Sequence, residues 1–148
     1  MEERFQTFTV LITDINRCIH KLKTKEMEEF NLKSSHVSCL YYLYKSDKLT
    51  AKELCDICRE DKANISRAIK YLEQSGYVVC NSKTTKRYQS VLVLTELGRT
   101  IGERIAKKID RVLEAVGEGV SDEHRLIMYR ALSKVNTNLQ RLCDENDL

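Results

Sequence analysis

Cys55 and Cys58 form the only Cys-x-x-Cys pair of this 148-residue chain. Such a pair can supply half of a structural zinc site, or it can exchange between thiols and a disulfide. Structural zinc usually takes four ligands from two such pairs, and here a second pair is missing. The pair also falls where a short helix should pack its apolar side. Packed, unreactive thiols are therefore the favoured interpretation, and a redox switch or a zinc site is the alternative.

The patterns of the common enzyme classes are missing from the sequence. It has no glycine-rich phosphate loop, no Gly-x-Ser-x-Gly nucleophile turn and no His-Glu-x-x-His zinc motif. His20 and His124 do not have metal-ligand spacing with each other or with an acid pair. Only His36, Cys39 and Cys80 could come near the Cys-x-x-Cys pair to complete a zinc site. We therefore expect a protein that is not an enzyme and that uses no metal and no cofactor.

The N-terminus and the composition favour a cytoplasmic, mainly helical protein. The chain begins Met-Glu-Glu-Arg without the charged-then-apolar order of a secretory signal, and none of its apolar runs approaches the roughly 18 residues of a membrane span. We expect no membrane contact, and we expect the six cysteines to stay reduced. With no proline and only five glycines, the chain has few helix breakers.

Positive charge is concentrated in one segment of the chain. The net charge is only +3, from 25 Lys and Arg against 22 Asp and Glu. Residues 62–90 hold six basic side chains and one acid, which is +5 in 29 residues and leaves −2 for the other 119. A local excess of this kind indicates a polyanionic partner at one place, or else a solvated basic face.

The start of this segment is predicted to be the second of two short helices. Thr50 and Glu53 have the spacing of a capping box, which opens a helix that runs to about Ile57. Asp61 is a suitable N-cap for the next helix, and Gly76 is suited to end it. Two short helices joined in this way are the layout of a helix-turn-helix.

The second helix is predicted to bury one side and to expose a cationic, hydrogen-bonding side. At about 100° per residue, Ile65, Ala68, Ile69 and Leu72 fall within one narrow arc. The opposite side carries groups that can contact phosphates or the edges of bases. The candidate DNA-binding residues of this helix are Lys62, Ala63, Asn64, Ser66, Arg67 and Lys70.

After this helix, two apolar segments flank a polar one. The segments 77–80 and 90–94 are short and rich in apolar, β-branched residues, whereas the segment 81–89 is polar and cationic. The pattern predicts a two-stranded β-hairpin with a basic tip, and a helix-turn-helix followed by such a hairpin is a winged helix. Lys83, Lys86 and Arg87 in the tip would lie along phosphates or enter the minor groove.

Both ends of the chain carry apolar residues at alternating spacings of three and four. The two ridges are Phe5, Phe8, Ile12, Ile15, Ile19 and Leu22 at one end, and Met128, Leu132, Val135, Leu139 and Leu142 at the other. Narrow ridges of this kind bury against another helix. We predict a dimerisation layer between two chains; packing of the two ridges within one chain is the alternative. The residues predicted in the seam are Phe8, Ile12, Ile15, Ile19, Leu132, Val135 and Leu139.

The middle of the chain resembles the MarR family of bacterial transcription regulators. Residues 61–78 read Asp-Lys-Ala-Asn-Ile-Ser-Arg-Ala-Ile-Lys-Tyr-Leu-Glu-Gln-Ser-Gly-Tyr-Val, similar to the family's Ser-Arg in mid-helix, then Leu-Glu, a glycine and an apolar strand. Residues 91–98, Val-Leu-Val-Leu-Thr-Glu-Leu-Gly, resemble the family's wing exit. One difference lies in the wing, where Lys86-Arg87-Tyr88 stands in place of the family's usual Asp-x-Arg.

The resemblance implies a homodimer with two winged-helix lobes on double-stranded DNA. Residues 1–30 would be an N-terminal dimerisation helix, residues 34–98 the DNA-binding lobe and residues 99–148 the C-terminal dimerisation helices. His36 begins the helix near which the family's ligands bind, so it is the candidate ligand-binding residue; a structural histidine with satisfied hydrogen bonds is the alternative.

We therefore expect a sequence-specific repressor that binds a near-palindromic operator and is released by a small-molecule effector. A thiol- or zinc-responsive regulator, and a helical protein-interaction module with a basic face, are the alternatives.

Overall fold

The computed structural model describes residues 2–81 and 87–145. These residues form seven α-helices and one three-stranded sheet, which confirms the expected mainly helical winged-helix fold. The helices are α1 (Glu2–Phe5), α2 (Ile12–Met27), α3 (Ser34–Ser46), α4 (Ala51–Cys58), α5 (Lys62–Gln74), α6 (Glu96–Val116) and α7 (Asp122–Glu145). The strands are β1 (Lys48–Thr50), β2 (Val78–Cys80) and β3 (Val91–Leu94). No helix in the described ranges is long and apolar enough to span a membrane.

The chain divides into two compact units, Met1–Ile109 and Asp110–Leu148. The first unit holds the helices α1 to α5, the sheet, and the beginning of α6. The second unit holds the end of α6, a turn and α7. The three-part division by role, with dimerisation segments at both ends, stays a prediction.

The core of the first unit lies where α3, α4, α5 and the sheet meet. Its largest fully buried side chains include Leu40 and Leu43 from α3, Leu54 from α4, and Ile65 and Leu72 from α5. Burying one side chain of this size contributes about 1.5–3 kcal/mol. The cluster therefore fixes the orientation of each helix that supplies a residue to it.

The sheet has one strand more than the sequence predicted. β2 and β3 pair as the expected antiparallel hairpin, with Val78 opposite Leu94. The third strand, β1, was not predicted; it begins at Lys48 and pairs with β3, with Lys48 opposite Val93. β1 has three residues, too few to show the alternation that marks a strand in sequence.

The N-terminal ridge does not lie on one continuous α-helix. Gln6–Leu11 form a π-helix, in which hydrogen bonds run from residue i to residue i+5. The helix predicted within residues 1–30 is therefore not one regular α-helix, because the wider turns change the angle between Phe8 and the ridge residues of α2. Ile15 and Ile19 lie on α2 itself, and both are at least half exposed.

Local hydrogen bonds begin α4, where the sequence predicted, and α6. The Thr50 N–H donates to Glu53 Oε2 at 2.7 Å, and the Glu53 N–H donates to the Thr50 hydroxyl at 3.2 Å, so the capping box of α4 is confirmed. At the start of α6, the Gly98 N–H donates to the Thr95 hydroxyl at 3.0 Å.

In the second unit, α7 is an amphipathic helix whose apolar ridge is exposed. Gly119, with φ of 79°, lies in the turn that separates α6 from α7. None of the described residues of α7 is buried. Leu132 and Leu139 are exposed, and Val135 is partly exposed. A helix of 24 residues with such a ridge offers a surface for another helix.

We expect Gly98→Ala to destabilise the first unit. A Cβ at residue 98 would overlap the carbonyl oxygen of Tyr77, which belongs to the backbone and cannot rotate away. Overpacking of this kind costs about 1–3 kcal/mol, which urea unfolding followed by circular dichroism would measure. Thr100→Ala, at an exposed position of the same helix, is the control and should change the free energy of unfolding by less than about 0.5 kcal/mol. Equal losses in the two variants would contradict the expectation.

Candidate nucleic-acid interface and adjoining cavity

Hydrogen bonds fix both ends of α5, the helix predicted to contact DNA. Asp61 is its N-cap, because Asp61 Oδ1 accepts the Asn64 N–H at 2.7 Å. After the last turn, Gly76 has φ of 77°, and the Tyr77 N–H donates to the Leu72 carbonyl at 2.9 Å. A left-handed glycine followed by this hydrogen bond is a Schellman motif, so both predicted ends are confirmed.

The predicted division of α5 into a buried and an exposed side is confirmed. Ile65, Ala68, Ile69 and Leu72 are at most 6% exposed. On the other side every candidate contact residue of the helix is exposed: Lys62, Ala63, Asn64, Ser66, Arg67 and Lys70. α4 comes directly before α5, and residues 59–61 connect the two helices. Their arrangement is a helix-turn-helix.

One hydrogen bond orders the exposed side of α5. Arg67 Nη2 donates to Asn64 Oδ1 at 2.7 Å, one helical turn earlier. A guanidinium has five N–H groups in a planar fork, and two of them match the O6 and N7 acceptors of guanine. A side chain that is already held in place loses less conformational entropy on binding. The pair can therefore present Arg67 to a base at low cost.

The wing residues predicted to contact DNA are described only in part. Lys83 and Lys86 lie outside the described residues, and of Arg87 only the backbone is described, in a 3-10 helix over Arg87–Gln89. Their contacts with DNA stay a prediction. Tyr88, which the sequence did not single out, packs against the core cluster.

A cavity of about 1040 Å³ lies beside α5 in the first unit. Its wall comes from α2, the segment 28–33, α3 and α5, through Thr13, Asn16, Arg17, His20, Lys21, Thr24, Lys25, Glu28, Asn31, Leu32, Lys33, His36 and Tyr71. Four of these side chains are Lys or Arg, and one, Glu28, is acidic. The volume suits a small organic molecule, and the excess of cations favours an anionic one.

His36, the candidate ligand-binding residue, lies in the wall of this cavity and has a structural role; ligand binding by His36 stays a prediction. Its Nδ1 accepts the Lys33 N–H at 3.1 Å, which caps the start of α3. Its ring stacks on Tyr71 of α5, with ring centroids 4.2 Å apart and planes 3° from parallel. Burial, and then the nearby Lys33 charge, lower the pKa of His36, so the neutral ring is favoured.

Tyr71 lines the cavity and contacts His36, and the sequence pattern predicted neither contact. The pattern of α5 puts it on the flank of the DNA-facing side, and no periodicity indicated a contact with His36. Its one available signal was a large aromatic side chain among polar neighbours. Because Tyr71 belongs to α5, it connects the cavity wall directly to the candidate DNA-binding helix.

The cysteines of the described residues are free thiols, and the Cys-x-x-Cys residues do not pair with each other. Instead, the Cys39 thiol of α3 interacts with Cys58 of α4. This interaction, and then burial, raise the pKa of Cys39, whereas the same interaction lowers the pKa of Cys58. The described part of the chain holds no group of three or more His, Cys, Asp or Glu arranged to bind a metal ion.

Comparison with known proteins identifies the family. A family model described as MarR family matches residues 30–87. The HTH-type transcriptional regulator YwoH of Bacillus subtilis is 31% identical over 118 residues, which cover 78% of this chain and 85% of that protein. The chain belongs to the MarR family. As a family member it is a transcription regulator, so the expectation that it is not an enzyme is confirmed.

Solved MarR family structures share the fold of this chain. A MarR family regulator from Neisseria meningitidis superposes with a TM-score of 0.82 at 20% identity, covering 95% of this chain and 98% of that one. A MarR family regulator from Listeria monocytogenes, solved with a 26mer DNA, has a TM-score of 0.76 at 24% identity and covers 86% of this chain and 85% of that one. At these identities the likeness concerns the fold.

His36 should make the stability of the MarR fold depend on pH. Its pKa is lowered from 6.5 in the folded chain, so its contribution to stability is present above about pH 6.5 and is lost as the pH falls through the lower folded value. His36→Gln keeps an acceptor for the Lys33 N–H but cannot titrate. Its urea midpoint should therefore fall less than that of the wild type between about pH 7.5 and about pH 5.5. His124→Gln, at an exposed position, is the control; an equal fall in wild type and His36→Gln would contradict the role of His36.

Proposed function

We propose that this MarR family regulator binds double-stranded DNA as a homodimer in the cytoplasm and represses transcription until an effector removes it. One observation supports the DNA-binding part. On the exposed side of α5, Arg67 Nη2 donates a hydrogen bond to Asn64 Oδ1 at 2.7 Å, while the opposite side of the helix is buried. The major groove admits an α-helix, and a capped, packed helix enters it as a rigid body. Two relatives of the same fold support the proposal: the Listeria monocytogenes regulator solved with DNA, and the MepR–DNA complex of Staphylococcus aureus.

The residues of α5 have different proposed roles. Arg67 reads a base, and guanine is the best match because its O6 and N7 accept two guanidinium N–H groups. Asn64 orients Arg67, and Ser66 lies beside it on the same side. The remaining proposed contacts are with the DNA backbone, at the start of the helix, in its last turns and in the wing: Lys62, Ala63, Lys70, Lys83, Lys86 and Arg87.

Arg67→Ala should remove the base preference at one symmetric position of the operator. Losing a bidentate Arg–guanine contact removes about 1–3 kcal/mol of discrimination. Selection from randomised duplexes, followed by sequencing, would measure the preference. If Arg67→Ala selects the same sequences as the wild type, Arg67 does not read a base.

The variant Lys86→Ala/Arg87→Ala is the matched comparison for phosphate contacts. It should lower the affinity for specific and for non-specific DNA about equally, and it should leave the selected sequence unchanged. Four lost phosphate contacts in the dimer would make the log–log salt slope shallower by up to about 3.6. An unchanged slope would remove the wing from the proposed contacts.

The homodimer is supported by apolar side chains that a single chain leaves exposed. On α2, Ile12, Ile15 and Ile19 are 39%, 50% and 56% exposed, and on α7, Leu132 and Leu139 are 45% and 43% exposed. Rows of exposed apolar side chains are typical of protein interfaces. In a two-fold dimer the α5 helices would meet successive major grooves about 34 Å apart, so the operator would be a near-palindrome.

Ile15→Asp should dissociate the dimer. A carboxylate buried in an apolar seam without a partner costs several kcal/mol, at least about 2. Sedimentation velocity would measure the oligomeric state, and circular dichroism would show whether the helices persist. Asn16→Asp adds the same charge one residue later, on the wall of the cavity, and should leave the dimer intact. A folded, fully dimeric Ile15→Asp protein would exclude this seam.

Release by an effector is supported by the contact between the cavity and α5. Tyr71 belongs to α5, lines the cavity and stacks on His36. We infer that a ligand that displaces Tyr71 from this stack also shifts α5. Its effect on DNA affinity is limited to the difference between its affinities for the two arrangements. The cations of the wall favour a small organic anion.

Small organic carboxylates should raise the melting temperature of the protein more than their neutral amides do. The cations at Lys21 and Lys25 would attract the carboxylate, so Lys21→Gln/Lys25→Gln should lose most of the difference. Lys107→Gln, outside the cavity wall, is the control. A ligand at a free concentration of a hundred times its Kd adds about 2.7 kcal/mol of stability.

If mild peroxide instead abolishes DNA binding and a reducing agent restores it, the thiol-responsive alternative is favoured.

A further inference from the structure

Lys62 occupies an unfavourable place for a cation, the first residue of α5. A helix N-terminus carries partial positive charge, which favours acidic side chains and disfavours basic ones. Lys62 Nζ lies 4.5 Å from the centroid of the Tyr88 ring. This distance is inside the roughly 6 Å range of cation–π attraction. The contact joins the start of the recognition helix α5 to the chain segment that leads into β3.

Tyr88 is held from a second direction as well. It lies in the 3-10 helix Arg87–Gln89, just before β3, and its side chain packs against the core cluster. Its 3-10 helix also packs against α4, and the Tyr88 hydroxyl interacts with the buried Cys55 of that helix. Tyr88 is thus held by α4 on one side and by Lys62 of α5 at the face of its ring. Both helices of the helix-turn-helix therefore contact one side chain of the wing.

We propose that Lys62 and Tyr88 are positioning residues, which fix the base of the wing against the recognition helix. The proposal rests on the proposed DNA-binding function, and it changes the role of Lys62 within it: Lys62 acts through Tyr88 and not through a phosphate of its own. Arg87 directly precedes Tyr88, so the place of Tyr88 sets the point from which Arg87 extends. A wing whose base is fixed before binding loses less conformational entropy when it meets DNA.

The first experiment needs no DNA. The heteronuclear ¹⁵N–¹H NOE of the backbone amides of residues 87–90 is measured by NMR in the wild type, Tyr88→Ala and Lys62→Met. Both variants should lower these NOE values, because each removes one side of the contact. Since Lys62 is exposed, Lys62→Met tests the contact even if Tyr88→Ala impairs folding.

The matched control for this experiment is another lysine–tyrosine pair. Lys45 Nζ lies 5.7 Å from the ring centroid of Tyr41, and both residues belong to α3. Lys45→Met should leave the NOE values of residues 87–90 at their wild-type level. Wild-type values in Lys62→Met would overturn the proposal, whatever the protein does with DNA.

The second experiment separates positioning from direct phosphate contact by a double-mutant cycle. The probe is a duplex selected from a random pool with the wild-type protein. If Lys62 acts through Tyr88, Lys62→Met alone weakens binding by about two- to fivefold at each half-site, and it adds nothing in the Tyr88→Ala background. Lys62→Arg keeps a cation on the ring and should bind as the wild type does.

A direct phosphate contact gives a different result. The double variant would then bind more weakly than Tyr88→Ala, and its log–log salt slope would be shallower by about 1.8 for the dimer. That outcome would overturn the positioning role of Lys62. A wild-type protein that binds no duplex would refute the proposed function, and the NMR comparison would still decide whether the contact fixes the wing.

Discussion

The burial of one side of α5 is the constraint on which the rest of the structure depends. Ile65 and Leu72 are fully buried, and α5 packs against both α3 and α4. Because an α-helix turns once every 3.6 residues or so, burying these side chains directs Asn64, Arg67 and Lys70 to solvent. Rotating the helix would bury cations without partners, at a cost of several kcal/mol, at least about 2 each. Apolar packing thus decides which side of α5 is available to a polyanion.

The flank of the same helix carries a second contact, which is relevant to regulation. Tyr71 stacks on His36, and His36 in turn accepts the Lys33 N–H at the start of α3. An aromatic pair of this kind contributes about 0.5–1.5 kcal/mol beyond its buried area. Coupling between an effector site and a DNA site is typically about 1–3 kcal/mol. Rearranging this one stack could therefore supply a substantial part of such a coupling.

Local placement of charge matters more here than the net charge of +3. In the segment that ends α2, acidic and basic side chains face in different directions. Lys108 of α6 donates to the Glu26 carbonyl at 2.8 Å and lies 3.0 Å from Glu29 Oε1, and these contacts hold the end of α2 on α6. Lys21 and Lys25, in contrast, line the cavity. Because Glu26 and Glu29 face Lys108, the cavity wall keeps its excess of cations.

The sequence by itself determined the features that depend on neighbours a few residues away. Thr50 starts its helix and Gly76 ends one, because caps need only local hydrogen bonds and a permitted φ; the two sides of α5 follow from its period alone. The π-helix over Gln6–Leu11 could not be predicted, because apolar spacings of three and four fit an ordinary α-helix equally well. β1 needed its partner β3, which lies far along the chain. Tertiary structure alone decided that Tyr71 meets His36, since no spacing rule states which side chains of distant helices will touch.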